Sequence, residues 1–366
     1  MPERSGYDAV VVGAGIIGLA CAWRATQRGL SVLVVDRDGP GSGASRVAAG
    51  MLAPVTEAEF GADDLTRLNL EAVARWPEFA RELGGELRHR RSGALVVAAD
   101  RDDAEELHRL HTFHRSLGLD SEWLTPSQCR GLEPALSPRV GGGILAPHEG
   151  QVDPVAVVSA LAGQDFEIAQ GDPVVAVDER GVRLGSGATV AAEQVVVAAG
   201  SWSGSGIEGL PELPVRPVKG QILALRRPLD RPLVDRLIRT PRCYVVDRGD
   251  GRIVLGGTME ERGFDTQVTV DGVYRLLEAA WEVLPDVAEV QFEGARAGLR
   301  PGTPDNSPLI GRTDELPNVI FATGHFRHGV LHTPITAEAV AALLTGGEPP
   351  AAVQPFTPQR FGVGVR

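Results

Sequence analysis

Arg300 lies in the run Gly298-Leu299-Arg300-Pro301-Gly302, upstream of a second charged, glycine-bounded run, Gly324-His325-Phe326-Arg327-His328-Gly329. A guanidinium beside such a junction can grip an anion, a carboxylate above all, through two parallel hydrogen bonds. An apolar segment, Val319–Ala322, leads through Thr323 into Gly324, so the junction has the form of a strand passing through glycine into a helix. A helix N-terminus there offers free amides and the positive end of a dipole, which suits a nucleotide or an anionic cofactor.

The other end of the chain carries a matching junction. Asp8-Ala9-Val10-Val11-Val12-Gly13-Ala14-Gly15-Ile16-Ile17-Gly18 reads as a short strand ending in G-x-G-x-x-G, and Ile17, Ala20, Cys21 and Ala25 continue one helical face as far as Gly29. Ser31–Val35 is a second strand, followed by Asp36. Gly13 permits the tight turn, Gly15 lets a pyrophosphate approach the backbone, and Gly18 lets helix and strand pack closely. Asp36 can accept hydrogen bonds from an adenosine ribose. This pattern predicts a dinucleotide site but does not separate NAD from FAD. Arg37–Pro54, which holds Ser45, Ala49, Gly50 and Met51, is rich in glycine and alanine and can run its backbone against a flat ring system. Gln194–Ser203, ending in Ala199, Gly200 and Trp202, is a third segment of this kind. So many close approaches from distant parts of the chain suit an extended flavin dinucleotide.

The elements that must position these residues follow from patterning. Strand–helix alternation at both ends predicts an α/β fold, a Rossmann-like parallel sheet core with an inserted antiparallel-sheet domain. Residues 1–85, 145–215 and 310–366 are assigned to the cofactor domain, and 86–144 and 216–309 to the substrate domain. Helices are expected over Asp63–Leu83, Asp102–Leu117, Asp153–Leu161, Asp271–Leu284 and Pro334–Leu344, with Asp153 as an N-cap. Val215–Leu225, Cys243–Asp247 and Ile253–Gly256 alternate as antiparallel strands. The stretch holding Pro126, Pro134 and Pro138 is expected as loop, the tail from Pro349 as loosely attached, and the first six residues as frayed. Ligands in open α/β sheets lie at the carboxyl ends of the parallel strands, which puts the site between the domains.

Composition excludes several classes. The 366 residues carry 36 Lys+Arg against 48 Asp+Glu, a net charge of −12. Such a surface argues against nucleic acid or an acidic membrane as the main partner. No apolar run approaches the roughly 18–20 residues of a membrane span, and Ala9–Val12 is too short for the core of a secretion signal. Cys21, Cys129 and Cys243 are scattered and form no C-x-x-C. They point to a reduced, cytoplasmic protein without a disulfide framework or structural zinc. His89, His108, His111 and His114 read as a solvated face rather than a metal site. Lys219 is the single lysine; either the composition has drifted towards arginine, or Lys219 holds a position where arginine would not serve.

Five runs together are far more specific than the glycine motif: Ala48-Ala49-Gly50-Met51-Leu52, Pro217-Val218-Lys219-Gly220, Cys243-Tyr244-Val245-Val246, Gly298-Leu299-Arg300-Pro301-Gly302-Thr303 and the junction from Gly324 to Gly329. With them the chain resembles, from Tyr7 to about Leu344, the D-amino-acid oxidase superfamily of flavoproteins, and within it the glycine oxidases of thiamin biosynthesis. The resemblance implies FAD, oxidation of glycine to its imine, release of ammonia and glyoxylate after hydrolysis, and O2 as the acceptor that yields peroxide. It also implies a homotetramer. Arg300 and Tyr244 would hold the substrate carboxylate, Arg327 would touch substrate or flavin, and Met259 would wall the side-chain pocket. Met51, with Ala49 and Gly50, would lie against the flavin ring, and Val174 and Val175 would meet the adenine end. The remaining cofactor contacts would come from Gly13, Gly15, Ile16, Ile17, Gly18, Asp36, Arg37, Ser45, Ala199, Gly200 and Trp202. To these the junction would add His325, Phe326, Arg327, His328, Gly329, Val330 and Leu331. Arg296 is a competing arginine that lacks the Pro-Gly context. No cysteine falls in 295–331, so FAD is expected to bind non-covalently. No acid–base residue is implied, and His328 and His332 read as hydrogen-bonded histidines without a chemical step of their own.

Rival readings share the fold. A sarcosine or D-amino-acid oxidase or dehydrogenase would differ only in substrate or acceptor. A flavin-dependent tRNA-modification module should carry a basic face, which the net charge opposes. A non-catalytic flavin-binding protein would leave Arg300 and Tyr244 without a purpose.

Overall fold

A computed structural model of the chain describes residues 6–362, apart from 205, 230 and 231. The expectation of a frayed start thus falls outside the described residues, except at Gly6, which opens the first strand. Val10–Val12 and Val32–Val35 are valine-rich runs with no polar break, the signature of strands covered on both faces. They pair in parallel at the centre of the first sheet. Its parallel strands run, side by side, Val319–Thr323, Thr189–Val197, Gly6–Val12, Val32–Asp36 and Glu167–Gln170. Leu309–Gly311 adds an antiparallel edge, and the hairpin Val174–Asp178 with Gly181–Leu184 pairs antiparallel with Thr189–Val197. Only Thr189–Val197 separates the first strand from Val319–Thr323. The N-terminal glycine turn and the junction after Thr323 are therefore brought to one end of one sheet.

Helices Ile16–Gln27, Asp63–Leu83 and Gly329–Leu344 pack with this sheet around Leu19, Trp76, Phe79, Ile335 and Val340. The second sheet orders Gln291–Gly302, Arg216–Arg226, Arg252–Gly256, Tyr244–Asp247, Leu237–Arg239, Ala94–Val97, Gly143–Ala146 and Glu122–Leu124. All neighbours are antiparallel except Leu237–Arg239 with Ala94–Val97. It has its own core, with Leu223, Val245, Leu255, Leu276 and Val283. The parallel core and the antiparallel second sheet match the expected fold class. No described helix is long and apolar enough to cross a membrane.

Several local expectations are corrected. The last helix starts at Gly329, not Pro334, which lies inside it. This helix is buried on nearly every side, and that packing outweighs the hydrogen bond a proline removes. The tail beyond Pro349 is docked, with Ala352, Val353 and Phe356 buried in the main core. Pro126 opens a short helix, Pro126–Leu132, because Thr125 and Gln128 form a reciprocal capping box. His114 is fully buried against Ser121, 3.2 Å away, rather than solvated. The three cysteines are free and buried.

Candidate active site

A cavity of ≈ 460 Å³ is lined by both sheets. From the first sheet come Gly13, Gly15, Ile16, Ile17, Asp36, Arg37, Ser45, Ala49, Gly50, Met51, Val174, Val175, Ala199, Gly200, Trp202, His325, Phe326, Arg327, Gly329 and Val330. From the second come Tyr244 and Arg300. Four singled-out residues, Gly18, His328, Leu331 and Met259, do not reach its wall.

The first βα turn is built for close approach. Gly13 sits at φ 108°, where a side chain would be strained, and a Cβ there would lie 2.5 Å from the Ala198 carbonyl oxygen. A Cβ on Gly18 would fall on the Gly13 carbonyl, so this glycine serves packing and not the cavity. Gly15 is different: its Cβ would make only an ordinary 3.5 Å contact with Ser45 Oγ, so the space it leaves belongs to the cavity. The Asp36 carboxylate accepts N–H bonds from Ala14 (2.7 Å), Asp38 (2.8 Å) and Gly39 (2.9 Å). A carboxylate offers about four acceptor sites, which leaves one for a ribose hydroxyl. Helices Ile16–Gln27 and Gly329–Leu344 both begin at the cavity without a side-chain N-cap hydrogen bond, although Ser45 Oγ takes the Ile16 N–H at 3.0 Å. Elsewhere Asp100, Thr125, Asp153 and Thr269 cap their helices with their own side chains. Amides left uncapped beside a cavity are donors for an anion. Phe326 enters the last junction at φ 46°, a rare conformation for an aromatic residue, held by its N–H bond to Pro301 O at 3.0 Å.

Opposite this turn, the second sheet presents a guanidinium and a phenol. Gly220 and Gly256 make the room: a Cβ on the first would fall on the Arg300 guanidinium, and on the second on the Tyr244 hydroxyl. A Cβ on Gly257 would stand 3.0 Å from the phenol oxygen and 3.1 Å from Arg300 Nη2. Arg300 Nη1 donates to Thr258 O at 3.0 Å. Among the described residues no carboxylate lies within 4.0 Å of Arg300. Burial pulls its pKa below the usual guanidinium range, against the pull of Tyr244 and Glu57. Burial raises the Tyr244 phenol, only partly offset by Arg300, so Tyr244 keeps its proton as a donor. Arg296 is exposed and off the cavity.

Met259 is 59 % exposed and is not part of the cavity wall. Lys219 and Glu260 exchange backbone bonds at 2.9 Å, and the Thr258 and Glu260 side chains meet at 2.6 Å beside Gln221, whose amide donates to Glu260 at 2.8 Å. His328 turns to Glu57, its Nδ1 3.3 Å from Oε2 but off the line of a hydrogen bond. Leu331 is buried in the core, where its carbonyl accepts from Trp76 Nε1 at 3.0 Å. Lys219 is fully buried, its Nζ 2.6 Å from Asp265.

Sequence reasoning missed Glu57, a buried carboxylate on the cavity wall. Burial raises its pKa, but Arg239, Arg327, His328 and Arg300 outweigh that and hold it below the usual range. Arg239, which pairs with Glu57 at 3.2 Å, was missed too, as was Arg248. Its Nη2 holds the Ala49 carbonyl at 2.5 Å and so ties the Ala49–Met51 segment to the second sheet. Glu57 lies six residues past Met51 in a run of small residues, and that proximity was the one signal available.

The space kept by Gly15, the free acceptor site of Asp36 and the uncapped helix starts fit an extended dinucleotide with a pyrophosphate. Comparison with known proteins agrees. The DAO model, FAD dependent oxidoreductase, matches residues 8–343. The chain belongs to this family; FAD is its cofactor, and it is an FAD-dependent amino-acid oxidase. It is 31% identical to the glycine oxidase of Geobacillus kaustophilus across 96% of both chains. The crystal structure of that protein matches with a TM-score of 0.91, covering 98% of this chain and 99% of that one. It is 30% identical to the hydrogen cyanide synthase subunit HcnC of Pseudomonas aeruginosa, over 97% of this chain and 96% of that one. It is 35% identical to a bifunctional ThiO/ThiG protein of Synechocystis sp., where 97% of this chain spans 54% of the relative.

Proposed function

We propose that the protein oxidatively deaminates glycine, and more slowly sarcosine and small D-amino acids, to the imine and then glyoxylate and ammonia, with O2 as acceptor and peroxide as product. The observation that carries the reading is Arg300: a cavity-lining guanidinium without a carboxylate partner among the described residues, facing the dinucleotide turn. Its fork takes the substrate carboxylate, and the Tyr244 hydroxyl donates a further hydrogen bond to it. FAD, when bound, supplies the two-electron acceptor for the substrate α-carbon. The protein's task is to fix that carbon in a site shielded from water and to admit the amine in its neutral form. Arg327, which lines the cavity and pairs with Glu59 at its exposed side, completes the positive wall. The first sheet carries the cofactor and the second the substrate clamp. FAD binds non-covalently, since none of the three cysteines lies on the cavity wall. Similarity to the fused ThiO/ThiG relative supports supply of thiazole synthesis for thiamin, and the resemblance to glycine oxidases supports a homo-oligomer, a tetramer.

Anaerobic mixing of the yellow protein with glycine should bleach it, and air should restore the colour with peroxide, ammonia and glyoxylate in equal amounts. Similarity to HcnC favours a second reading in which cyanide is the product; cyanide in place of glyoxylate would decide for it. L-amino acids should fail, because the α-hydrogen and the side chain exchange places once the carboxylate is clamped. A kcat/KM for D-phenylalanine or any L-amino acid above that for glycine would end the glycine reading. Acid precipitation should release all of the flavin.

A further inference from the structure

We propose that Arg248 holds up the reduction potential of the bound flavin, as a fixed positive charge behind the wall segment Ala49–Met51. Among the described residues two arginines are buried, Arg227 and Arg248, and they are neutralised differently. Arg227 is closed on the Asp247 carboxylate by two bonds, at 2.6 and 3.0 Å. Arg248, 4 % exposed, has no carboxylate within 4.0 Å among the described residues. Its fork ends on neutral oxygens instead. Nη1 donates to Gln151 Oε1 at 3.0 Å and Val152 O at 2.9 Å, and Nη2 to Ala49 O at 2.5 Å. Burying a guanidinium without a counter-charge is expensive, and a neutral amide could tie the same carbonyls. The retained feature is therefore the charge. Burial pulls the Arg248 pKa down only to about 10, so the charge persists at neutral pH. The acid acting on it most strongly is Asp153, itself closed by Arg252 at 2.7 Å; Arg252, Tyr244 and Asp250 are the other groups in reach.

The place of that charge gives it a function. Ala49, Gly50 and Met51 line the cavity. Behind them Met51 pairs with Gln151, and Val152 N donates to Gly50 O at 2.9 Å. Gln151 Nε2 holds Asp247 O at 2.7 Å, so the knot reaches the strand that begins with Tyr244. Arg248 is hydrogen-bonded to the very peptide that joins Ala49 to Gly50. The proposal rests on the reading that the flavin ring lies against Ala49–Met51. A flavin gains negative charge as it takes up electrons, and a fixed positive charge in a low-dielectric interior favours that form. Arg248 touches no substrate, so its effect is the same whichever amine is oxidised.

Sulfite binding to the FAD-loaded protein, read as bleaching of the flavin band, tests this without any substrate. Sulfite adds to the oxidised ring as an anion and so reports the same field. Arg248→Gln keeps an amide donor but not the charge. Its sulfite affinity should fall at least roughly tenfold, and its potential by about 30 mV, the equivalent of tenfold for a two-electron couple. Arg248→Lys keeps the charge and should stay within about threefold. Asp153→Asn keeps a good helix N-cap and removes the acid that opposes Arg248, so its affinity should rise. A knot that serves structure alone would not give shifts of opposite sign. Asp153→Asn also decides the matter if Arg248→Gln cannot hold flavin. Equal losses in the Gln and Lys variants, or no rise in Asp153→Asn, overturn the role of the charge. Met51→Phe checks the premise. An unchanged flavin spectrum there would take the ring from this wall, and the proposal with it. A shifted spectrum, with sulfite affinity unchanged in Arg248→Gln, would overturn the proposal and leave the wall standing.

Discussion

The Gly13–Asp36 turn and the Arg300–Tyr244 clamp both depend on glycines, for opposite reasons. In the turn, Gly15 leaves empty a space that nothing in the chain fills, since its Cβ would meet only Ser45 Oγ at an ordinary 3.5 Å. In the clamp, Gly220 and Gly256 leave space that the protein itself fills, with a guanidinium and a phenol from neighbouring strands. One region keeps backbone bare for a ligand; the other keeps it bare so that functional side chains can lie flat against it. A ligand-facing glycine can therefore be replaced without disturbing the fold, whereas a clamp glycine cannot be replaced without moving a side chain.

The largest effect should come from Gly15→Val. The variant should fold, with unchanged far-ultraviolet circular dichroism, but purify colourless, because the new side chain stands in the pyrophosphate path. Full flavin occupancy in that variant would remove the turn from the cofactor site.

Arg300→Ala comes next. Truncating one partner of a desolvated charge pair costs roughly 2–5 kcal/mol, to be read as weaker substrate binding in a titration of flavin absorbance, with flavin content intact. Gly220→Ala should imitate it, because a methyl there occupies the guanidinium's place. If Gly220→Ala lost flavin and kept substrate affinity, the contrast between the two kinds of glycine would collapse.

The same contrast explains what was legible in the sequence. The turn is contiguous: strand, G-x-G-x-x-G, helix, strand and Asp36 are read in one pass, because spacing along a single βα unit fixes geometry. The helix Asp63–Leu83 was legible in full for the same local reason. The clamp assembles from four strands, and nothing in the spacing of Gly220, Tyr244, Gly256 and Arg300 shows that they touch. Resemblance suggested Tyr244 and Arg300, whose position on the wall register then explains. Glu57 and Arg239 were invisible because each gains its role only from the other.

Glu149 is buried against the segment that leads to Glu57. It accepts bonds from Val55 N (2.6 Å), Thr56 N (2.7 Å) and Thr56 Oγ1 (2.7 Å), just before Glu57. Burial pushes its pKa up from 4.5 to about 7, against those bonds. The folded state therefore holds its proton more tightly than the unfolded state. Its contribution to stability is full below about 4.5 and is lost as pH rises through about 7, a change on the order of 3 kcal/mol. Glu149→Gln should gain on the unmodified protein by that amount from about pH 5 to about pH 8, measured by urea denaturation. A constant offset across the range would mean that the carboxyl is ionised in the fold throughout.

The smallest effect is expected from Tyr244→Phe, and it is the sharpest probe of how the clamp divides its labour. The ring stays, so the packing against Gly256 and the shape of the wall are preserved; only one hydroxyl is removed. Because burial keeps that phenol protonated, it acts as a donor, and one hydrogen bond to a charged group is worth about 0.5–3 kcal/mol. Arg300 retains its charge and its bond to Thr258 O, so the carboxylate keeps its principal partner. Substrate affinity in the flavin titration should fall, but by less than in Arg300→Ala, and the flavin should stay bound. A Tyr244→Phe loss exceeding that of Arg300→Ala would make the phenol the anchor and the guanidinium its support.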